Sequence, residues 1–198
     1  MTRTSLAFAA ALPLFVAHGA FAAPKYYFQL QPVKAGPDVD AATKSFAGDA
    51  LKAELASRPE WASDVGAPGQ QGPGQDRSDL VAELKKRNLR GFDVTARIEN
   101  LKQQVKDPKP GSRNKQLAVE VQLTVFGTTI PDAKLAFSGD GQSATEAEVS
   151  ERRLAADTAD ATHDVMKDAI KQAVDQAVLK LSIGKSGPMN EKHKKKAK

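Results

Sequence analysis

The chain contains 198 residues, of which 40% are hydrophobic and 6% aromatic, and none is cysteine. That length and mixture suit a single globular domain rather than a disordered or fibrous chain. The absence of cysteine excludes disulfide scaffolds, thiol nucleophiles, zinc–thiolate sites and iron–sulfur clusters. The classes of enzyme and metalloprotein that depend on cysteine are therefore excluded.

Residues 1–22 have the pattern of a secretory signal peptide. Arg3 supplies an early positive charge, residues 6–17 are mostly apolar, and Ala20 and Ala22 are the small residues that precede a cleavage site. The run of about 12 apolar residues is shorter than the roughly 20 that span a bilayer, and no cysteine follows it for lipid attachment. We expect cleavage after Ala22 and a periplasmic or secreted mature protein with no transmembrane segment.

Positive charge is concentrated at the carboxyl terminus. The chain has 29 Lys and Arg residues against 24 Asp and Glu residues, but six of the lysines lie in the last 14 residues beside one acid. Residues 23–184 are close to neutral, so a sequence-specific nucleic-acid-binding fold is not indicated. Residues 185–198 lack apolar periodicity and are expected to form a disordered tail, which either aids solubility or contacts an anionic surface. The candidate contact residues are Lys185, Lys192, Lys194, Lys195, Lys196 and Lys198.

The mature chain begins with a predicted strand and a predicted helix. The strand covers residues 26–33, where aromatic and aliphatic side chains recur at a period of two. The helix covers residues 41–57, because Asp40 can cap it, apolar residues recur three and four positions apart, and Pro59 ends the pattern.

A loop, a short helix and a strand come next. Residues 65–76 are rich in glycine and proline and predict a flexible surface loop within the domain. The short helix is expected to begin with Ser78 or Asp79 as its cap and to end before Gly91. Residues 92–99 then alternate between apolar and polar side chains, which predicts a strand with one buried face.

Further strands are predicted in the second half of the chain. The clearest covers residues 117–125, where branched apolar side chains occupy every second position. A shorter strand with Leu135 and Phe137 pointing inward is expected to turn at residues 139–141 into a weak segment over 142–149. Consecutive strands joined by short turns favour an antiparallel sheet.

A long closing helix is predicted over residues 157–181, where adjacent apolar pairs recur every four positions. This stripe drifts by about 40° per turn, which suits packing over a twisted sheet, although a helix of another chain could use similar residues. The expected class is α+β. An antiparallel sheet of about four strands packs against this helix and the 41–57 helix within one domain, residues 23–184, and the disordered basic tail follows.

The closing helix carries four aspartates, with His163 among them. Calcium binds six to eight oxygen ligands, but a helix separates such carboxylates by about 6 Å per four residues and supplies no loop carbonyls. We therefore expect a solvated acidic face, with no metal site and no cofactor. The four residues are Asp157, Asp160, Asp164 and Asp168.

Catalytic motifs are missing from the sequence. There is no Gly-x-Ser-x-Gly, no glycine-rich phosphate loop ending in Lys-Ser or Lys-Thr, and no His-Glu-x-x-His. The chain is expected not to be an enzyme, and no catalytic residue is assigned. A carboxylate-based hydrolase is the remote alternative, because Asp and Glu are abundant.

Four segments define the order of elements: residues 26–33, Leu80 to Val94, residues 117–125 and Ala169 to Val178. This order resembles that of small α/β domains of bacterial envelope proteins, such as the TolB amino-terminal domain and the curli-secretion lipoprotein group. The resemblance implies a non-catalytic domain that docks on a partner protein and scaffolds an assembly. The curli-type lipoproteins carry a lipidated cysteine that this chain lacks, and no family site residue can be carried over.

These observations lead to two functional hypotheses. The first is an exported, non-enzymatic binding or assembly protein of the cell envelope. The second is a protein that adheres to a polyanion or a membrane surface through its lysine-rich tail.

Overall fold

A computed structural model describes residues 25–62, 77–108 and 113–183. The predicted signal peptide, the loop over 65–76 and the lysine tail lie outside these residues. The described helices and strands, in chain order, are β1 (Tyr26–Leu30), β2 (Lys34–Ala35), α1 (Ala41–Ala56), α2 (Ser78–Lys86), β3 (Arg90–Lys106), β4 (Asn114–Thr129), β5 (Leu135–Ser150), one turn of 3-10 helix (Glu151–Arg153) and α3 (Leu154–Ile183).

The strands form one mixed sheet in the order β1–β3–β4–β5, with β2 also beside β3. β1 and β2 run parallel to β3, whereas β3, β4 and β5 are antiparallel neighbours. The prediction of a purely antiparallel sheet is therefore wrong at one edge. The chain passes through α1 and α2 between β1 and β3, and such a crossover returns it to the end where it started, so the two strands pair in parallel. The α+β class, the amino-terminal helix and the long closing helix are confirmed.

Asp40 caps α1, as the sequence predicts. Its Oδ1 accepts a hydrogen bond from the backbone N–H of Thr43 at 2.7 Å, and its Oδ2 accepts one from the Thr43 hydroxyl at 3.0 Å. Hydrogen bonds to the ionised form stabilise it. They hold the pKa of the Asp40 carboxyl below its ordinary value.

We expect Asp40→Ala to destabilise the fold at neutral pH and much less in acid. Because the pKa in the folded state is below that in the unfolded chain, the contribution of the carboxylate is present above the unfolded pKa and is lost as the pH falls through the folded pKa. Urea unfolding of both proteins, followed by circular dichroism from about pH 7 to about pH 2, measures this difference. A gap between the two midpoints that stayed constant in acid would contradict the capping role.

One face of the sheet carries the main core, and α1 and α3 both cover that face, as predicted. The inward residues of β4 are each 2% exposed or less and belong to this core: Leu117, Val119, Val121, Leu123 and Val125. The buried stripe of α3 that packs against them consists of Val165, Met166, Ala169, Ile170, Ala173, Val174 and Ala177. The apolar pairs of α3 therefore pack against the sheet of the same chain.

β5 runs without interruption through Gly139 and Gly141, so the turn predicted there is wrong. Both glycines lie directly against the backbone of α3. A Cβ atom on Gly141 would lie 1.8 Å from the carbonyl oxygen of Ala169, and one on Gly139 would lie 2.0 Å from that of Ala173. Glycine is present here because two backbones approach closely, which is its usual role inside a strand.

Leu135 does not point inward as predicted, and its side chain is 69% exposed. The pairing register between β4 and β5 shifts next to Leu135: Gly127 pairs with Phe137, whereas Thr128 pairs with Leu135. Such an irregularity changes the face on which the next side chain lies. Phe137 is buried as predicted, and its ring occupies the space in which a Cβ atom of Gly127 would stand.

α2 packs on the opposite face of the sheet, at one end, where Leu80 and Leu84 contact Tyr27. Ser78 and Asp79 are not caps, because the helix begins at Ser78 and has no side-chain cap. An ion pair holds its start instead: Arg77 Nη1 lies 2.6 Å from Asp93 Oδ2 of β3. The Arg77–Asp93 ion pair fixes the direction in which α2 runs along β3. Burial, together with the nearby Asp93 carboxylate, raises the pKa of Tyr27.

Candidate functional site

The two ends of the described chain lie at the same end of the sheet. β1 and β3 both begin there, and the backbone N–H of Arg90 donates to the carbonyl of Lys25 at 3.1 Å. β4 finishes at this end, where the N–H of Thr129 donates to the carbonyl of Lys134 at 2.8 Å. Lys25, at which the described chain starts, therefore lies at the same end of the sheet as the turn between β4 and β5.

The ends of α2 and α3 reach the same place. Leu84, in the last turn of α2, lies against Gly91, where a Cβ atom would be 2.6 Å from Leu84 Cδ1. α3 runs in the opposite direction to β5, so Lys180 lies one turn beyond the contact between Ala177 and Gly139, close to the start of β5. We call this end of the domain the basic pole and define it by six exposed residues: Lys25, Lys85, Lys86, Arg90, Lys134 and Lys180.

The basic pole carries an excess of positive charge that the whole domain does not share. The described residues contain 21 Lys and Arg residues and 21 Asp and Glu residues, so the described domain as a whole is neutral. Three acids lie at the same end: Glu60, Glu83 and Asp132. Glu83 is paired with Arg87 at 2.8 Å and lies 3.8 Å from Lys86 Nζ. The remaining surface consequently has a net negative charge, and the domain has an electrostatic polarity.

The lysines that the sequence singled out connect to this pole through the chain. Lys185, Lys192, Lys194, Lys195, Lys196 and Lys198 lie outside the described residues. They follow α3, whose last turn is at the pole.

The six residues of the basic pole could not be identified from the sequence, because they are scattered over 156 positions from Lys25 to Lys180 and only the topology places them at one end of the domain. The adjacent Lys85 and Lys86 at a helix end are the one local signal.

The acidic face predicted on α3 is present at the surface. Asp157 Oδ1 lies 3.0 Å from Arg153 Nη2, and Asp164 Oδ1 lies 3.9 Å from Lys167 Nζ. The His163 ring stacks on Phe46 of α1 with 3.8 Å between ring centroids. Within the described ranges, no group of three His, Asp or Glu side chains is arranged to hold a metal ion. Both ion pairs are local to α3 and the turn before it, whereas the His163 ring contacts α1.

The carboxylates on the outer face of the sheet are engaged by neighbouring side chains. Glu120 Oε1 accepts hydrogen bonds from the amides of Gln122 at 3.1 Å and Gln142 at 3.3 Å. Asp140 Oδ1 accepts one from the Thr124 hydroxyl at 2.9 Å. This part of the outer face is therefore a polar, hydrogen-bonded surface.

No protein-family model and no curated protein matches the chain. The chain is similar to several solved structures. A DUF330 protein from Xanthomonas campestris superimposes with a TM-score of 0.50 at 9% identity, over 84% of this chain and 89% of that one. A proposed lipoprotein from Caulobacter crescentus gives 0.44 at 9% identity, over 81% and 93% of the two chains. A minor lipoprotein from Acinetobacter baumannii gives 0.37 at 8% identity, over 83% and 96%.

The Xanthomonas structure shows that this order of helices and strands forms a known fold, and at 9% identity the likeness extends to the fold alone. None of the helices in the described part of the chain has both the length and the apolar composition needed to cross a bilayer.

Proposed function

We propose that this protein is an exported, non-enzymatic binding protein of the cell envelope, and that its basic pole and lysine tail attach it to an anionic surface. The observation that carries the proposal is the concentration of exposed cations at the end of the domain from which the tail continues. The signal-peptide pattern of residues 1–22 and the resemblance to envelope domains support the location.

The physical basis is electrostatic attraction between the pole and anionic headgroups. Each Lys or Arg near a negatively charged membrane contributes about 1 kcal/mol, and the contribution disappears beyond a Debye length of about 8 Å at physiological ionic strength. Neither the pole nor the tail needs to insert into the bilayer. Because the rest of the described surface is net negative, attachment orients the domain with its pole towards the headgroups.

We expect the exported chain to sediment with vesicles that contain phosphatidylglycerol and to stay in solution with pure phosphatidylcholine vesicles. Binding should weaken steeply as salt is raised from about 50 mM to about 500 mM, since the attraction is screened. A chain that ends at Gly184 should bind more weakly than the full chain but should keep its preference for phosphatidylglycerol, because the pole remains. Binding that is insensitive to salt, or equal on both kinds of vesicle, would contradict the proposal.

A second candidate function is docking of an envelope protein on the outer face of the sheet. The observation in its favour is that α2 is the only described helix on that face and contacts one end alone. Affinity capture from the native envelope, with the full chain and with the chain ending at Gly184, tests it. A partner protein retained by both forms supports docking on the domain, whereas capture lost with the tail assigns binding to the lysines.

A further inference from the structure

The two edges of the sheet are protected to different degrees. At the β5 edge, two outward backbone N–H groups already have acceptors on α3. Asp140 N donates to Gln176 Oε1 at 3.2 Å, and Gln142 N donates to Gln172 Oε1 at 3.5 Å. At the opposite edge, β2 pairs with β3 only as far as Ile98, and no described strand lies beside residues 99–106 on the side away from β4.

The backbone direction along this open edge follows from the pairing. Before the bulge, the carbonyl of Val94 points to the β1 side, where it accepts a hydrogen bond from Gln31 N at 2.8 Å. The register shifts by one residue between Ile98 and Asn100. Asn100 then pairs with β4 through its backbone, so the N–H and C=O groups of Leu101, Gln103 and Val105 point outward. Unpaired groups of this kind are a template for another strand.

The side chains of these three residues lie on the core face of the sheet. Leu101 packs against the edge of the core, and the Gln103 amide donates to the Thr162 hydroxyl of α3 at 2.9 Å. Val105 is 47% exposed and is one of three large apolar residues exposed among the described residues. The core therefore ends at this edge, where the half-exposed Val105 side chain lies beside backbone groups that no described strand pairs with.

We infer that the open edge of β3 pairs with the same edge of a second copy of this chain, antiparallel, about a two-fold axis at Gln103. In this register Leu101 faces Val105 of the second copy, so two apolar pairs extend both cores across the junction. Leu101, Gln103 and Val105 together form about six backbone hydrogen bonds with their counterparts. A closed two-fold pair is also the commonest form of self-association.

Neighbouring registers are less favourable. A shift by one residue would bring side chains from opposite faces into register, which a sheet with one buried face does not allow. A shift by two residues in either direction places Gln103 opposite Leu101 or Val105, so it removes both apolar pairs and one of the three hydrogen-bonded residue pairs. In the inferred register Lys102 faces Gln104 and Lys106 faces Asn100, so no like charges are directly opposite on the outer face. Strand pairing alone buries less than about 1,200 Å², so the dimer is expected to be weak and dependent on concentration.

The absence of cysteine makes a single introduced thiol a specific test of this register. Gln103→Cys places the two thiols opposite each other at the axis, where hydrogen-bonded strand partners have Cα atoms about 5.5 Å apart, within reach of a disulfide. Lys106→Cys is the matched control, because its two copies would be about 20 Å apart along the strands. Mild oxidation of each purified exported chain, followed by non-reducing electrophoresis, should give a covalent dimer with Gln103→Cys and monomer with Lys106→Cys. Monomer from both variants, or equal dimer from both, overturns the inference.

A second measurement does not depend on disulfide chemistry. Val105→Lys places a charge opposite Leu101 of the second copy and should lower the association constant, measured by sedimentation velocity over a range of concentrations, by at least about tenfold. Leu179→Lys makes the same change at another exposed apolar residue and should leave association unchanged. Circular dichroism checks that both variants fold. Association that is equal in wild type and Val105→Lys, or a wild type that is monomeric at all concentrations, contradicts the inference.

Discussion

Gly141→Ala should lower the free energy of unfolding by about 3 kcal/mol, the upper part of the range for an overpacked core. The added methyl group would stand 1.8 Å from the carbonyl oxygen of Ala169, and its nearest neighbours are backbone atoms. A side chain could rotate out of the way, but the backbone of α3 can yield only if the helix moves. Because Val165 to Ala177 pack on the sheet through the same contact, the displacement would loosen much of the core.

The matched control is Gly48→Ala in α1. A Cβ atom there would lie 3.6 Å from Val33 Cγ2, an ordinary contact. Replacing a glycine by alanine inside a helix is expected to stabilise the protein by up to about 1 kcal/mol. Urea unfolding of the two variants and the wild type gives both differences. If Gly141→Ala unfolded at the same urea concentration as the wild type, α3 could not lie as close to β5 as described.

The second large effect is expected on vesicle binding. Replacing Lys85, Lys86, Arg90 and Lys134 by glutamine removes four positive charges from the basic pole and leaves the tail intact. At about 1 kcal/mol for each charge near an anionic membrane, we expect the partition coefficient on phosphatidylglycerol vesicles to fall by roughly 100-fold to 1,000-fold. All four residues are exposed, so the variant is expected to fold.

A variant with the same loss of charge elsewhere separates local contact from net charge. Lys44, Lys102, Arg152 and Lys167 lie away from the basic pole, and their replacement by glutamine should change binding by only a few-fold. Co-sedimentation at fixed low salt compares both variants with the wild type. Equal losses in the two variants would mean that overall charge controls binding and that the pole has no special role.

Features that depend on neighbouring residues were predictable from the sequence. The cap of α1 needs only Asp40 and the N–H groups that follow it, and the inward face of β4 follows from a period of two. The buried stripe of α3 likewise follows from the spacing of its apolar pairs, which recur every four residues. Each of these patterns is local, because the side chains involved are adjacent in one element.

Features that depend on distant segments were not predictable in the same way. A glycine pair such as Gly139 and Gly141 has two meanings, a turn or a close approach between backbones, and only the position of α3 decides between them. The parallel pairing of β1 with β3 depends on the path of the chain through two helices. The basic pole depends on the whole topology, since Lys25 and Lys180 reach the same end of the domain only after the sheet has formed. The lysine tail was visible as a run of like charges and stays a prediction.

The contact between Gly139, Gly141 and α3 also gives a way to recognise distant relatives of this protein. Any chain that keeps this spacing between strand and helix must avoid a side chain at both strand positions and must keep small residues at the facing helix positions. The resulting signature is Gly-x-Gly in an edge strand, followed by a helix with alanine at every fourth position, as at Ala169, Ala173 and Ala177. Such a pattern can persist where overall identity has fallen below detection, because it is imposed by backbone geometry and not by side-chain chemistry.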